Sequence, residues 1–587
     1  MSLRIVCAAF ALLLGLSTGI GDAGSSTAVG SPLPGGPVPL VVIVPLIVGS
    51  PPSSASPGKT SNGLVSGAIA SSGLIGRDAL ADYTSPTGLL TRELDAVIDR
   101  PVTLGIDPMI IASIRVLGGG APASAIAWLN RLATATNDTF PLSYADADTT
   151  LLTQSDPAAI IQPESFSFAV DPALFSPPTT AAPGPTLGGG GSPTPGPGTL
   201  PPLPKSADDV LAWPYRLSGI AWPRAGTLIG TDVARLASIG YTSVIAGQAN
   251  LGESRLGPVQ RMGSTGIIAA SDSVSNAIAD AAAAGTENEW SSALLAVKPA
   301  VLAVSTGRSL VTSPVVTALD RTTAVTAERL RQTLDSIAAD PAVVLSSLSS
   351  VLDGPAADSL AEAGGVTLID APQPALRLGL AARMLAAERA ERAFAAIGDQ
   401  PDAITAPRRL SLLASMGLTV DATTRPAGSA DAAFTTAGAN FLAQSAALMS
   451  SVHLVQSGTF LLLADNSQFL PVTVSNALNQ RVSVYITVRP QSGLLAVEGG
   501  PVLLEVDPSS QAKANIPVRS LSNGAVQVTV TLTAATGTAI GSSVSADVNV
   551  QAGWETPIVV AIALLVVLVF VVGIVRTIVR RRAVRDV

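Results

Sequence analysis

Several aspartates are the residues of this 587-residue chain whose types and spacing could do chemistry. Asp107, Asp146 and Asp148 follow short apolar runs, and Asp272 follows another at residues 266–270. Acidic residues just past the carboxyl ends of strands line the ligand-binding side of α/β folds. A glycosidase needs two carboxylates on opposite sides of the scissile bond, one of them protonated. Asp107, Asp146 and Asp272 are therefore the candidate catalytic carboxylates.

Asp148 and Trp222 are candidates for binding a glycan without cleaving it. An indole ring can stack on a sugar, although a tryptophan at a strand end more often belongs to the core. The alternative for all the aspartates is structural. Asp-Pro and Asp-x-Asp at strand ends cap helices and shape turns, because the carboxylate accepts hydrogen bonds from free backbone N–H groups. We expect this structural role first, glycan binding second and catalysis third.

The composition excludes much other chemistry. The chain has one cysteine, Cys7, and one histidine, His453. Zinc sites made of Cys and His and structural disulfides need more of these residues. A thiol nucleophile is excluded because Cys7 lies in the predicted signal segment, and a His-dependent triad because no Ser-Asp pairing is evident near His453. We therefore expect no metal site and no cofactor, and we interpret His453 as structural.

Two apolar segments predict the location of the protein. Residues 1–23 have the charged start, apolar run and small residues of a secretory signal peptide. Residues 557–575 form an uncharged run of 19 residues, about long enough to cross a bilayer as a helix. Five arginines follow it in the tail, residues 576–587, so the positive-inside rule puts this tail in the cytoplasm. The sequence predicts a single-pass protein of the cell membrane with its N-terminus outside.

The charge distribution restricts the partners. The tail contributes +4 to the chain's net charge of −8, and the signal segment contributes nothing, so the predicted exterior carries −12. An acidic exterior does not suit nucleic acid or anionic lipid. We therefore expect no nucleic acid among the partners.

A linker rich in proline and glycine divides the exterior. Residues 176–204 contain ten Pro and seven Gly, a composition that cannot build a packed core. On both sides of it, apolar runs alternate with helical stretches, which predicts an α/β domain with halves at residues 38–175 and 205–454. The predicted strands include residues 40–48, 102–106, 218–222, 243–246, 266–270, 300–304 and 366–369. One domain, barrel-like or an open sheet, explains the two halves best, and two small α/β domains are the alternative.

The period of the apolar residues changes near residue 455. Residues 455–552 contain runs in which apolar and polar residues alternate, separated by turn signals such as Asn523-Gly524. About eight short strands in this length predict a β-sandwich of immunoglobulin-like type. Its position directly outside the predicted membrane helix is typical of a spacer or an interaction platform.

Six short segments carry a resemblance to a known family. They are residues 41–46, 104–108, 127–129, 141–148, 220–223 and 470–476. In this order they resemble an uncharacterised actinobacterial family of exported, C-terminally membrane-anchored cell-envelope proteins. Members of this family, which is defined by a domain of unknown function, are often encoded beside the lipid II flippase of peptidoglycan synthesis. The resemblance implies a cell-envelope role tied to peptidoglycan or to export of its precursor, and an α/β part similar to carbohydrate-active barrels.

These observations lead to two hypotheses of different classes. The first is a non-catalytic scaffold or accessory factor for cell-wall assembly, which binds a cell-wall synthesis protein, a precursor-export protein or a wall glycan. The second is a glycosidase-like enzyme that acts on cell-wall glycan through Asp107, Asp146 and Asp272. The first is favoured because the structural role of the aspartates is the simpler one.

Overall fold

A computed structural model of the chain describes residues 36–48, 72–156, 162–176, 200–251, 257–306, 313–321, 325–353, 366–418, 430–455, 460–463, 469–522, 524–551 and 555–583. The predicted signal peptide lies outside these residues, as does most of the predicted linker. The described residues form a mixed α/β unit up to residue 449, a mainly antiparallel β-unit from residue 452 to 551, and one long apolar helix.

The α/β unit is built on two sheets. Their strands are β1 (Val38–Leu46), β2 (Thr103–Ile106), β3 (Asp138–Pro141), β4 (Ile220–Ala221), β5 (Ser243–Ala246), β6 (Val259–Met262), β7 (Thr265–Ala269), β8 (Val315–Ala318) and β9 (Val343–Ser346). The first sheet is parallel, in the order β3-β2-β1-β8, and β9 also pairs with β1. Nearly every side chain of β1 is buried, as expected for an apolar strand that is covered on both faces. In the second sheet, β4, β5 and β7 are parallel and β6 runs antiparallel to β7.

The two sheets meet along two edges. Ala270, directly after β7, pairs in parallel with Val316 of β8, and the amide of Ser271 donates to the Val316 carbonyl at 2.8 Å. At the other edge, the amide of Leu217 donates to the Thr139 carbonyl of β3 at 2.9 Å, shortly before β4. The parallel strands of both sheets therefore end on one side of the unit.

Strands of both sheets contribute to one core between them. Its buried members include Val41, Ile43, Phe140, Ile220, Ile245, Ile268 and Val316. The sheets thus close around a common core. The residues that follow the parallel strands surround one end of this core, the end at which those strands finish.

Helices surround the two sheets. They are α1 (Arg77–Tyr83), α2 (Leu89–Val97), α3 (Pro108–Arg115), α4 (Ala123–Thr134), α5 (Thr149–Ser155), α6 (Ala207–Leu211), α7 (Gly230–Ser238), α8 (Gln248–Leu251), α9 (Asp272–Ala283), α10 (Glu287–Thr306), α11 (Ala327–Ala338) and α12 (Ser349–Leu352). The last of these helices, α12, contributes Val351 to the core between the sheets. In α11, Leu330, Leu334 and Ile337 are buried at helical spacing. This pattern is typical of a helix with one face on a core.

Two strand predictions are wrong. Residues 300–304 lie in α10, where Val297 and Val301 are buried four residues apart, a helical spacing. Residues 366–369 form no strand and make only single backbone bonds, such as that from the Ile369 amide to the Asn250 carbonyl at 2.8 Å. The sequence also missed β8 and β9, because strands of four residues are too short to show a clear period.

Three longer helices complete the α/β unit: α13 (Ala375–Ala395), α14 (Pro401–Ser415) and α15 (Ala430–Met449). Arg408 of α14 forms a buried ion pair with Glu391 of α13 at 2.9 Å, and its guanidinium lies 4.2 Å from the ring centre of Phe441 on α15. Buried charges need such partners, so this contact fixes how the three helices pack.

The β-unit contains two further sheets. Its strands are β10 (Val452–Leu454), β11 (Phe460–Leu463), β12 (Phe469–Asn476), β13 (Val482–Pro490), β14 (Leu495–Val497), β15 (Val502–Val506), β16 (Ser510–Ser520), β17 (Gly524–Thr533) and β18 (Ala539–Gln551). The sheet orders are β10-β12-β16-β14 and β11-β18-β17-β13-β15, antiparallel except where β11 pairs with β18. Alternate side chains of β12, β13 and β17 are buried in one shared core. The predicted change to a period of two is therefore confirmed.

Helix α13 connects the two units. Phe394, near its end, and Ile397, just after it, are buried in the core of the β-unit. Gly398 then pairs with Val482 of β13, and the amide of Ser483 donates to the Ile397 carbonyl at 2.7 Å. One end of a helix of the α/β unit is thus part of the β-unit.

The last helix, α16 (Glu555–Ala583), matches the predicted membrane segment. Its span Ile558–Arg580, 23 residues, is long and apolar enough to cross a membrane, and its side chains are exposed. A helix of this length rises about 35 Å, compared with about 30 Å for the hydrocarbon part of a bilayer.

Candidate functional site

Asp107 follows β2 and caps the start of α3. Its Oδ1 accepts hydrogen bonds from the amides of Met109 and Ala145, each at 2.9 Å. Asp before Pro108 is a typical helix start, because the proline ring already has a helical φ and lacks an N–H group that would need a partner. Only 1% of Asp107 is exposed. The carboxylate therefore joins the start of α3 to the turn after β3 inside the protein.

The turn after β3 has a strained backbone. Ala145 and Asp146 have φ values of 56° and 48°, in the left-handed region that side chains other than glycine disfavour. Each such residue costs about 1–3 kcal/mol, so surrounding contacts must hold the turn. The Leu418 amide donates to the Asp146 carbonyl at 3.0 Å, and the Asp148 amide donates to the Met416 carbonyl at 3.0 Å. The end of α14 thus packs on the turn and fixes it.

Asp146 forms an ion pair with Arg321, which lies three residues beyond β8. The Nε atom of Arg321 is 2.9 Å from Oδ2 of Asp146, and the two side chains are 3% and 1% exposed. The Arg321 guanidinium also lies 4.4 Å from the ring centre of Trp222, and its Nη2 donates to the Trp222 carbonyl at 2.5 Å. The Trp222 ring contacts Phe140 of the enclosed core. Arg321 therefore links the ends of β3, β4 and β8.

Asp148 connects the same turn to the long helices. It caps α5, and its Oδ2 accepts a hydrogen bond from Nε2 of Gln373 at 2.6 Å. Nη2 of Arg377, in the first turn of α13, is 3.8 Å from the same oxygen. The guanidinium of Arg377 lies 4.4 Å from the ring centre of Phe434 on α15. The start of α13 is thus fixed against the strand ends.

Asp272 lies at the rim of this group. It is the first residue of α9, and its Oδ2 accepts a hydrogen bond from the Gln248 amide at 2.9 Å. A Cβ at Gly247 would lie 2.5 Å from Oδ1 of Asp272, so a larger residue there would displace this carboxylate. Asp320 is exposed and acts electrostatically on both Asp272 and Asp146. Asp272 is half-buried. Asp272 and Asp320 are therefore the carboxylates of this group that are accessible to solvent.

Burial changes the protonation of the inner carboxyl groups. It raises the pKa of Asp107 to about 8; the Met109 amide opposes this rise and the Asp146 carboxylate adds to it. Burial raises the pKa of Asp146 to about 7 against the opposing charge of Arg321, while Asp148 and Asp320 add to the rise. The cluster therefore retains a proton near neutral pH.

We expect the α/β unit to lose stability between about pH 5 and about pH 8. The raised pKa values of Asp107 and Asp146 mean that the folded chain holds more protons than the unfolded chain in this range, so stability falls as the pH rises. Asp107→Asn keeps an oxygen for both accepted hydrogen bonds but cannot ionise, and its profile should be flatter. The measurement is the melting temperature of the full-length protein against pH. Profiles of equal slope for the variant and the native protein would contradict the expectation.

The inner part of the cluster is closed to a substrate. Asp107, Asp146 and Asp148 are almost completely buried, whereas a general acid or base must come within hydrogen-bond reach of the substrate. Within the described ranges, no group of three or more His, Cys, Asp and Glu side chains could hold a metal ion. The inner carboxylates hold turns and helix starts. Asp272 and Asp320 at the rim can accept hydrogen bonds from the hydroxyl groups of a ligand.

The structure places the five sequence candidates around one end of the core. Asp107, Asp146 and Asp148 share the strained turn and its neighbours, Trp222 joins them through Arg321, and Asp272 lies at the rim. Their catalytic and glycan-binding roles stay predictions.

Sequence reasoning missed Asp320, Arg321, Gln373 and Arg377. The available signal was the pair Asp320-Arg321 shortly after the apolar run of β8.

The fold and the cluster define a mixed α/β chain with a buried charge cluster at its strand ends and a helix that is long enough to cross a membrane. The chain belongs to the family of unknown function DUF6049, whose model matches residues 27–584. A comparison with curated proteins finds no match.

Three solved structures show limited likeness to the chain. The α-amylase AmyC from Thermotoga maritima aligns with 71% of this chain and 94% of its own, at 9% identity and a TM-score of 0.36. Fibronectin(III)-like modules of CbhA from Clostridium thermocellum align with 17% of this chain and 95% of their own, at 14% identity and a TM-score of 0.11. Native alpha-2-macroglobulin from E. coli aligns with 17% of this chain, which spans only 7% of that protein, at 18% identity and a TM-score of 0.14. At these TM-scores the likenesses assign neither a fold type nor an activity.

Proposed function

We propose that this protein is a membrane-anchored, extracytoplasmic and non-catalytic scaffold of the bacterial cell envelope that takes part in cell-wall assembly. The observation that carries the proposal is α13, a helix of 21 residues that begins at the buried charge cluster and ends in the core of the β-unit. A fixed connection of this kind suits a protein that holds one unit in place beside a partner.

The rigidity of α13 comes from contacts along its whole length. Arg377 lies beside Asp148 at its start, Glu391 pairs with Arg408 of α14, and Phe394 enters the β-unit. The helix rises about 31 Å, so these contacts set the distance between the charge cluster and the β-unit.

The β-unit then separates the α/β unit from the membrane. Its strand β13 begins at Val482, which pairs with Gly398 after α13, and ends at Pro490. Pro490 pairs with Val528 of β17. The first residue of β17, Gly524, pairs with Val550 near the end of β18, shortly before α16. The α/β unit and the membrane helix thus attach at opposite ends. We propose that the β-unit is an immunoglobulin-like sandwich that acts as a spacer, since two sheets share one core.

The proposed topology follows from the charges that flank α16. Arg576 and Arg580 lie at one end of the apolar span and Glu555 at the other, so the positive-inside rule places the two units outside the cytoplasm. The partners we propose there are proteins of cell-wall synthesis or precursor export, or a wall glycan held at the rim by Asp272 and Asp320.

An enzyme that acts on cell-wall glycan is the alternative. The raised pKa values of Asp107 and Asp146 at strand ends favour it, because a glycosidase needs one protonated carboxyl group. The burial of both side chains favours the scaffold.

The scarcity of lysine gives a sharp test of the scaffold. Of the four lysines, Lys59 lies outside the described residues, Lys205 and Lys298 are exposed on the α/β unit, and Lys513 is exposed on the β-unit. The predicted cytoplasmic tail has no lysine. In intact cells, a membrane-impermeant amine crosslinker should attach a cell-wall synthesis or precursor-export protein mainly to Lys205 or Lys298. The adducts are identified by mass spectrometry after purification of the full-length protein.

Two matched variants control this experiment. Lys298→Arg, or the same change at Lys205, should reduce the adduct, whereas Lys513→Arg should leave it unchanged. Partner adducts only at Lys513, or purification of the protein without any partner, would contradict the scaffold. In the latter case Asp146→Asn and Asp272→Asn variants should be compared with the native protein for cleavage of wall glycan.

A further inference from the structure

We infer that the end of the β-unit next to α16 rests on anionic phospholipid headgroups. This inference depends on the proposed membrane anchor. We define the membrane-facing end as residues 489–494, 519–522 and 549–551, which lie at the ends of β13, β16 and β18. The registers Pro490 with Val528 and Gly524 with Val550 place the ends of β13 and β18 at the same side of the unit. Ser520 at the end of β16 pairs with Leu495, which directly follows residues 489–494.

The chain itself holds this end close to the membrane helix. Gln551 ends β18 and Glu555 begins α16, with three residues between them. Four Cα steps span at most about 14 Å, so the end of β18 lies within that distance of the helix start. The apolar span begins at Ile558, less than one helical turn further. A lipid surface at the start of this span is therefore within reach of the membrane-facing end.

An apolar side chain stands in the turn after β16. Leu521 is 45% exposed, and its amide donates to the carbonyl of Leu494 at 2.8 Å, which fixes the turn. A single exposed leucine is common on protein surfaces. At this position, however, it can enter the boundary between headgroups and acyl chains, where apolar side chains of peripheral segments lie.

The charges of the membrane-facing end differ from those of the chain as a whole. Arg489 and Arg519 are exposed there, and residues 490–497 and 520–522 contain no acidic residue. Glu498 is 3.7 Å from Arg519, but both side chains are more than half exposed, so this pair is weak. Basic side chains close to an anionic leaflet are attracted to it. The two arginines thus favour anionic headgroups although the chain is acidic.

A fluorescent probe at Leu521 tests this contact in the full-length protein. Cys7 is the only cysteine, so Cys7→Ser with Leu521→Cys gives one labelling site for an environment-sensitive dye. In vesicles that contain phosphatidylglycerol, we expect a blue shift of the dye and quenching by spin-labelled lipids. Leu503→Cys is the matched control, because Leu503 is 51% exposed on β15, away from this end, and should show neither effect.

The charge contribution has its own variant. Arg489→Glu combined with Arg519→Glu should abolish the quenching at position 521, and vesicles of phosphatidylcholine alone should weaken it. Equal quenching at positions 521 and 503 would overturn the contact, and equal quenching in both lipids would overturn the role of the anionic headgroup. Extraction of the protein from vesicles by alkaline carbonate would instead contradict the membrane anchor. Unchanged melting temperatures would show that the variants are folded.

Discussion

Replacement of Arg321 by methionine is expected to destabilise the α/β unit by about 3–5 kcal/mol. Above about pH 7, where Asp146 is ionised beside Arg321, the change leaves this carboxylate buried without its partner, and it also removes the guanidinium that packs on the Trp222 ring. It also frees the strained turn from one of its contacts. The measurement is unfolding by denaturant of the full-length protein in detergent, followed by tryptophan fluorescence. Four of the five tryptophans report on this unit: Trp128, Trp213, Trp222 and Trp290.

An exposed ion pair provides the control for this variant. Nη2 of Arg131 is 2.6 Å from Oδ1 of Asp95, and the two side chains are 45% and 48% exposed. Arg131→Met should therefore cost only about 0–1 kcal/mol, because solvent screens the pair. Adding Asp146→Leu to Arg321→Met should recover much of the loss, since no buried charge then remains unpaired. Equal losses for the Arg321 and Arg131 variants would contradict a structural role for the buried pair.

Replacement of Phe394 by alanine is expected to cost about 3–5 kcal/mol of stability in the β-unit and to separate the unfolding of the two units. Phe394 is completely buried where α13 enters the core of the β-unit, so the variant leaves a cavity at the junction. Calorimetry of the full-length protein should then show two transitions at different temperatures, with the β-unit unfolding first.

The same helix offers a matched control. Leu376 lies at the start of α13 and is 89% exposed, so Leu376→Ala should change the stability by less than about 0.5 kcal/mol. If Phe394→Ala left the transitions as in the native protein, α13 would not be a rigid connection. The scaffold proposal would then lose its main structural support.

The sequence by itself determined the elements whose patterns are long. The alternation in β12, β13 and β17 was evident because burial of one face leaves a regular period. The strand β1 and the span of α16 were evident because each is an almost unbroken apolar run. Short elements such as β8 leave no period, and the run at residues 300–304 fits a strand or a helix equally well. Asp107 and Asp148 could be assigned to helix starts for a local reason, since a cap bonds to amides two or three residues away.

Only the tertiary structure decided which charges meet. The sequence placed Asp146 after a strand but gave no reason to pair it with Arg321, because the two lie on different strand ends that become neighbours when the sheets close. Burial of both side chains then determines their role and raises the pKa of Asp146, which depends on desolvation by the whole fold. The connection made by α13 is likewise tertiary: Phe394 is one apolar residue of a long helix, and only the packed β-unit makes it the junction of two cores.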